Sequence, residues 1–348
     1  MKERIEWLDS VKAVGIFLMV LCHAKLSNTT IVTVISTFHM PLFFILSGYL
    51  DRKQEISMAV TKKYFRSLIT PYFFFSICSF SICWISPILH PEIYHMESYA
   101  KIFLSALIGM FLMEDKVTSF SFLPSGPLWF LIALFQVKLL FSIGVLLYRK
   151  NCMWTIPFSC FLIITYNCRI PFFSVDSALL AFPFYCVGFF LQELHVLDKF
   201  PPKRYCNVLI GMALLAYIVL FGVKNGRVDI DGCLYGNNIV FFYLNGTIGT
   251  IMIILLIKET KKLSILSECG KSTITILGTH FFFLIPSQIL FVTIFHFSIS
   301  DLPFFCSALM AIVACLGGVL IHSFLNRHFP LLIGKNDTKK TDNIYTSL

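Results

Sequence analysis

The sequence predicts an all-α, polytopic membrane bundle of about ten helices, and three observations carry that prediction. Apolar residues make up 57% of the 348 and charged residues only 14%, whereas water-soluble domains run near a quarter charged. The apolar residues gather in runs of roughly twenty, the length that crosses a bilayer core as a helix. The cations fall in short clusters between those runs, the pattern of cytoplasmic loops. With a mean hydropathy of +0.79, too little polar surface exists to cover a soluble core. Disorder, a fibrous repeat and an ordinary water-soluble enzyme are excluded. Nucleic-acid binding is excluded as well, because the net charge of +9 forms no dense basic face.

Backbone groups in lipid must be satisfied within their own segment, so each run is read as a helix. The spans fall near 9–26, 33–50, 68–89, 128–148, 153–168, 174–192, 206–223, 238–257, 273–296 and 302–325. The first is not a signal peptide, since it lacks a small-residue cleavage site and another span follows. Residues 101–113 are apolar but short for a span, and charge decides their place. Ten spans after a cytoplasmic N-terminus put every cation cluster on the cytoplasmic side, from Lys2/Arg4/Lys12 through Arg149/Lys150 and Lys258/Lys261/Lys262/Lys271 to Arg327/Lys335. One more crossing would move Arg149/Lys150 outside, so 101–113 is read as a re-entrant or interfacial piece on the outer side. The expected organisation is a transmembrane domain over 1–328 and a polar tail over 329–348. Both termini are expected to be cytoplasmic and the bundle to lie in the cell membrane, inner or plasma. The twelve Cys sit mostly inside apolar runs without zinc spacing and read as small apolar-facing thiols, with no metal expected.

Ten spans fit a transporter, a flippase or a membrane-bound transferase alike. Function must therefore be read from polar residues at membrane depth, where they are costly. In LDSVKAVGIFLMVLCHAKL, His23 lies fifteen residues after Leu8, roughly 22 Å along a helix, toward the outer side. A single His there most often anchors a helix end. The next span opens FHMPLFFILSGYL and brings His39 close to the same side, ahead of Pro41, a residue suited to a first helical turn. In KKYFRSLITPYFFF, Lys62, Lys63 and Arg66 stand at the start of the third span. Cytoplasmic-loop charge alone explains them, and the sharper reading is a site for phosphates. Lys138 lies mid-span and either snorkels or adds charge to that site, with equal weight. Trp84 and Trp154 read as interface aromatics, and Asp176 and Arg169 as outer charges more often solvated than ligand-binding. His90, His95, His296 and His322 are assigned to loops and helix ends without a function.

Four blocks together resemble the acyltransferase 3 family of integral membrane O-acyltransferases, in particular its sugar and polysaccharide O-acetylase branch. They are LDSVKAVGIFLMVLCH with Asp9 and His23, FHMPLFFILSGYL, the basic block ending RSLITPY, and PLWFLIALF with Trp129 and Phe130. A weaker fifth is GKSTITILGTHFFFL, where His280 falls at the family's late-helix His. Two departures are Lys12-Ala13, where many members have Arg-Gly, and Cys22, where Gly is common. The resemblance implies acetyl transfer from acetyl-CoA to a hydroxyl of a cell-surface sugar, a polysaccharide or a lipid-linked precursor, within the bilayer and without a metal. An alcohol is a poor nucleophile at neutral pH and needs a general base, usually His. His23 is expected to be that base, with His39 orienting the acceptor or sharing a proton path. Lys62, Lys63 and Arg66 are expected to hold the CoA phosphates, and Trp129, His280 and Asp9 to contribute to substrate binding. No GxSxG elbow is present, so a covalent serine route has little support. The rival class, a transporter or flippase of lipid-linked sugars without chemistry, explains the spans and the cations but not two His in the outer halves of spans one and two together with a basic donor mouth.

Overall fold

In a computed structural model, the structure describes residues 6–24, 26, 28–89, 126–148, 151–165, 173–201, 203–258, 264–295 and 302–335. The predicted re-entrant piece 101–113 lies outside the described residues, as do Arg149/Lys150, Arg169, Lys261/Lys262, His90, His95, His296 and tail residues 336–348.

A helix stands at each of the ten predicted spans. Helix α1 is Glu6–His23, α2 Thr29–Ser36 and α3 His39–Tyr49; α4, Met58–Tyr64, continues into α5, Thr70–Leu89. Then come α6 (Trp129–Leu147), α7 (Thr155–Thr165), α8 (Val175–Glu193), α9 (Arg204–Asn225) and α10 (Ile239–Lys258). A short helix, α11 (Ser264–Lys271), leads into α12 (Thr273–Phe295), and α13 is Phe304–His328. Among the described residues, seven segments are long and apolar enough to cross a membrane by length and composition, with α2 and α3 counting as one, Thr29–Tyr49. Large apolar side chains such as Leu209, Leu220, Phe305 and Leu320 point outward, as expected where the solvent is lipid. The chain is a helical membrane bundle. Its proximal end carries the start of α1, its distal end the finish.

Two spans are not simple helices. The second is interrupted at Thr37 and Phe38. In lipid the carbonyls freed by such a break need local donors. Thr37 Oγ1 donates to Val34 O at 2.7 Å, Ser36 Oγ to Thr33 O at 2.8 Å, and Phe38 N to Ile35 O at 3.2 Å. The third span carries a π-helical turn at Phe65–Ile69. Pro71 follows at once, and proline cannot donate its share of the helical ladder and crowds the carbonyl four residues back. The widened turn before it takes up that misfit.

Small residues set the tight crossings, as in other membrane bundles. A Cβ on Gly48 of α3 would lie 1.9 Å from Tyr185 O, and one on Gly188 of α8 would lie 1.9 Å from Ile45 O. A Cβ on Gly270 of α11 would lie 1.9 Å from Asp9 O, so α11 lies directly on the start of α1. At the distal end, a short antiparallel hairpin pairs β1 (Val228–Asp229) with β2 (Leu234–Tyr235). Asn225 holds it, donating from Nδ2 to Tyr235 O at 2.9 Å and accepting from Asn238 N at 2.9 Å. At the proximal end, the first residues after α13 form a 3₁₀ turn, Pro330–Ile333, that folds back under the bundle. Ile333 is buried there, and Gly334, at φ +78°, meets the backbone of Ser67 where no side chain would fit.

Candidate active site

Helices α1 and α12 lie alongside each other, and where α1 finishes His23 meets His280. Their ring centroids are 5.3 Å apart with planes at 45°, and Phe281 packs edge-on against His23 at 5.4 Å. His280 is the eighth residue of α12, only about 10 Å along that helix. The two rings therefore meet within the length of the span, not beyond its end. His280 is 1% exposed. Its Nδ1 lies 2.9 Å from Leu277 O and 3.2 Å from Ile276 O. A carbonyl only accepts, so Nδ1 carries the proton and Nε2 is left with its lone pair. That Nε2 is buried and has no hydrogen-bond partner among the described residues. His23 is the more open ring of the two.

His39 has a different neighbourhood. It stands at the break of the second span, half-way along Thr29–Tyr49, deeper than its expected place near the outer side. Its Nδ1 donates to Ile35 O at 3.0 Å, and Asp229 of the hairpin lies within electrostatic reach. Trp129 opens α6 half-buried, edge-on to Phe130 at 6.3 Å. The structure thus brings together His23 and His280, and gives His39 a partner within its own broken span.

The basic groups collect at the proximal end. Lys62 and Lys63 are exposed on α4, with Lys63 Nζ donating to Gln54 Oε1 at 3.1 Å. Arg66 lies in the π turn, half-buried, and its Nε is buried with no hydrogen-bond partner among the described residues. The next residue, Ser67, lines a cavity of about 260 Å³ together with Asp9, Lys12, Lys271, His322 and Lys335. Asp9, 4% exposed, is therefore a wall of this proximal cavity. His322, assigned no function from the sequence, faces the same cavity. Lys335 Nζ donates to His322 Nε2 at 3.2 Å and to Asn326 Oδ1 at 2.7 Å, and His322 Nδ1 is 2.8 Å from Thr275 Oγ1. A lysine has donors only, so His322 accepts at Nε2 and donates at Nδ1 to Thr275. Nothing in the local sequence signals this, because His322 reads as a helix end and Lys335 as tail.

Lys138 does not simply snorkel. Its Nζ lies 3.4 Å from Tyr185 OH and within 5.4 Å of the ring centroids of Tyr64 and Tyr185. The Tyr185 hydroxyl in turn donates to Asp51, just past α3. Beside it, Lys53 and Glu193 pair at 2.6 Å, joining the ends of α3 and α8. Cation, phenol and carboxylate form one polar cluster above the proximal end, an arrangement that offsets the cost of a charge inside the bundle. Trp154, expected at an interface, packs inward over Gly144 instead, stacked on Tyr148 at 5.6 Å.

A family model described as an acyltransferase domain matches residues 5–324, nearly the whole chain. No curated protein and no solved structure matches it.

Proposed function

Because the chain belongs to the acyltransferase-domain family, and is a multi-pass membrane acyltransferase, we propose that it moves an acetyl group from acetyl-CoA to a hydroxyl of a cell-surface sugar, polysaccharide or lipid-linked precursor. The observation that supports this reading best is an open imidazole, His23, set against a buried one, His280, within the bundle.

His23 serves as the general base. It takes the proton of the acceptor hydroxyl as that oxygen attacks the thioester carbonyl. The C–O bond forms, the C–S bond breaks, and the departing sulfur takes the proton back from His23. The donor approaches from the proximal, cytoplasmic side, where Arg66, Lys62 and Lys63 face its phosphates and Asp9 lines the cavity behind them. Charge-assisted contacts of this kind are the stronger class of hydrogen bond. The acceptor approaches from the distal side, with Trp129 offering a face on which a sugar ring stacks and His39 orienting it. The membrane is the cell membrane, with both termini cytoplasmic.

Purified protein supplied with acetyl-CoA and surface glycan should release free CoA and leave glycan heavier by one acetyl group. His23→Gln, which keeps a hydrogen-bonding side chain but cannot take a proton at neutral pH, should lose roughly 10²–10⁴-fold in rate while still binding acetyl-CoA. Near-normal transfer by His23→Gln would reject the base assignment, and CoA release without glycan acetylation would reject the acceptor.

A further inference from the structure

An imidazole that takes a proton gains a second N–H donor. In water that donor is solvated at no cost, but inside an apolar bundle an unpaired N–H on a cation is expensive. His23 is itself exposed, so what an acceptor set beside its ring adds is a fixed direction for that donor. Among the described residues the ring of His280 offers one. Its first nitrogen is occupied by the carbonyls of Ile276 and Leu277, and its second is bare and buried. A neighbouring ring that can become a donor is His23, at 5.3 Å between centroids, while Phe281, at 4.3 Å from His280, adds an apolar ring beside it.

We propose that His280 is a positioning residue whose bare ring nitrogen accepts a hydrogen bond from His23 once His23 has taken the acceptor's proton. The proposal rests on the acetyl-transfer reading above and gives His280 a role distinct from binding substrate. In the reaction, the hydroxyl proton passes to His23 and from His23 to the leaving sulfur. His280 neither gains nor loses a proton. It holds the imidazole in one orientation and stabilises the imidazolium while the C–O bond forms. The one-turn hydrogen bonds to Ile276 and Leu277 make this possible, because they tie the ring to the backbone of α12 and fix which form it adopts.

The experiment compares three variants by turnover and by KM for acetyl-CoA. His280→Phe keeps an aromatic ring of similar size and removes the acceptor. It should lower turnover roughly ten- to a hundredfold, the range for leaving a charged donor unpaired, with KM for acetyl-CoA unchanged. His280→Gln restores an acceptor oxygen and should recover most of that loss. In a His23→Gln background, His280→Phe should cost nothing further, because the group it serves is gone. Equal losses for Phe and Gln, or losses that multiply in the double variant, overturn the proposal and leave His280 as packing. If His280→Phe fails to fold, nitrogen-15 histidine NMR of the unaltered protein decides. His280 should be neutral with one protonated nitrogen at neutral pH, and a doubly protonated ring overturns the proposal. Normal turnover by His280→Phe beside an inactive His23→Gln removes this inference alone. Absence of acetyl transfer by the unaltered protein removes the underlying reading with it.

Discussion

Replacing Gly188 by Ala tests the packing on which the proximal polar cluster depends. The added Cβ would stand 1.9 Å from the carbonyl oxygen of Ile45, whereas ordinary contact begins at 3.4 Å, so α3 and α8 must part by about 1.5 Å. The obstructing atoms are backbone on both sides, and no rotamer change relieves them. Overpacking of this kind costs about 1–3 kcal/mol. The separation also pulls Tyr185 away from Asp51, since Tyr185 sits on α8 and Asp51 just past α3. Denaturant unfolding of purified protein in detergent, run alongside acetyl transfer, measures both effects. Gly126→Ala is the control, because a Cβ there meets nothing within 4 Å. Gly48→Ala should behave like Gly188→Ala, and the pair combined should cost less than their sum, because one separation relieves both clashes. A Gly188→Ala protein as stable as Gly126→Ala would show that the crossing is not as close as described.

Arg66→Ala should weaken acetyl-CoA binding by about ten- to a hundredfold, the range for a lost charge-assisted hydrogen bond, and by more than Lys203→Ala, a cation removed from an exposed position ahead of α9. Equal effects in isothermal titration would leave these cations with a topological role alone. Reporter fusions after Arg149 and after Lys262 should both read cytoplasmic, and a signal from the opposite side at either would refute the ten-span arrangement.

What was legible follows from what lipid penalises. Apolar run length marked ten stretches at each of which a helix stands, because a span must be both long and apolar. The rule that polar groups at membrane depth are costly and have partners points to His23 and Lys138, while His280 is legible only through the resemblance to the family. The pairing of helices was not legible. Helix α8 carries apolar residues all round, so no stripe says that Gly188 faces Ile45. The break at Thr37 and Phe38 hides inside a continuous apolar run, and its signal was the Ser36-Thr37 pair ahead of His39. Nothing in the sequence around Asp51 marks it, since only the fold brings Tyr185 to it across 134 residues. The meeting of His322 and Lys335 at the proximal cavity likewise depends on a turn that folds back, which neither composition nor periodicity encodes.

The joint in the second span sets two demands against each other. Ser36, Thr37 and His39 supply the donors for the carbonyls of Thr33, Val34 and Ile35. Exchanging them for Val or Phe would make the segment more oily, and the machinery that sorts nascent segments into the bilayer accepts such a stretch more readily. The same exchange strips the carbonyls of Thr33 and Val34 of their side-chain donors where no water can replace them, and leaves Ile35 O with backbone donors alone. Delivery into the membrane and assembly within it therefore pull this stretch in opposite directions. Its polar residues mark a compromise between the two, and a variant that inserts better than the natural chain would be the one that folds worse.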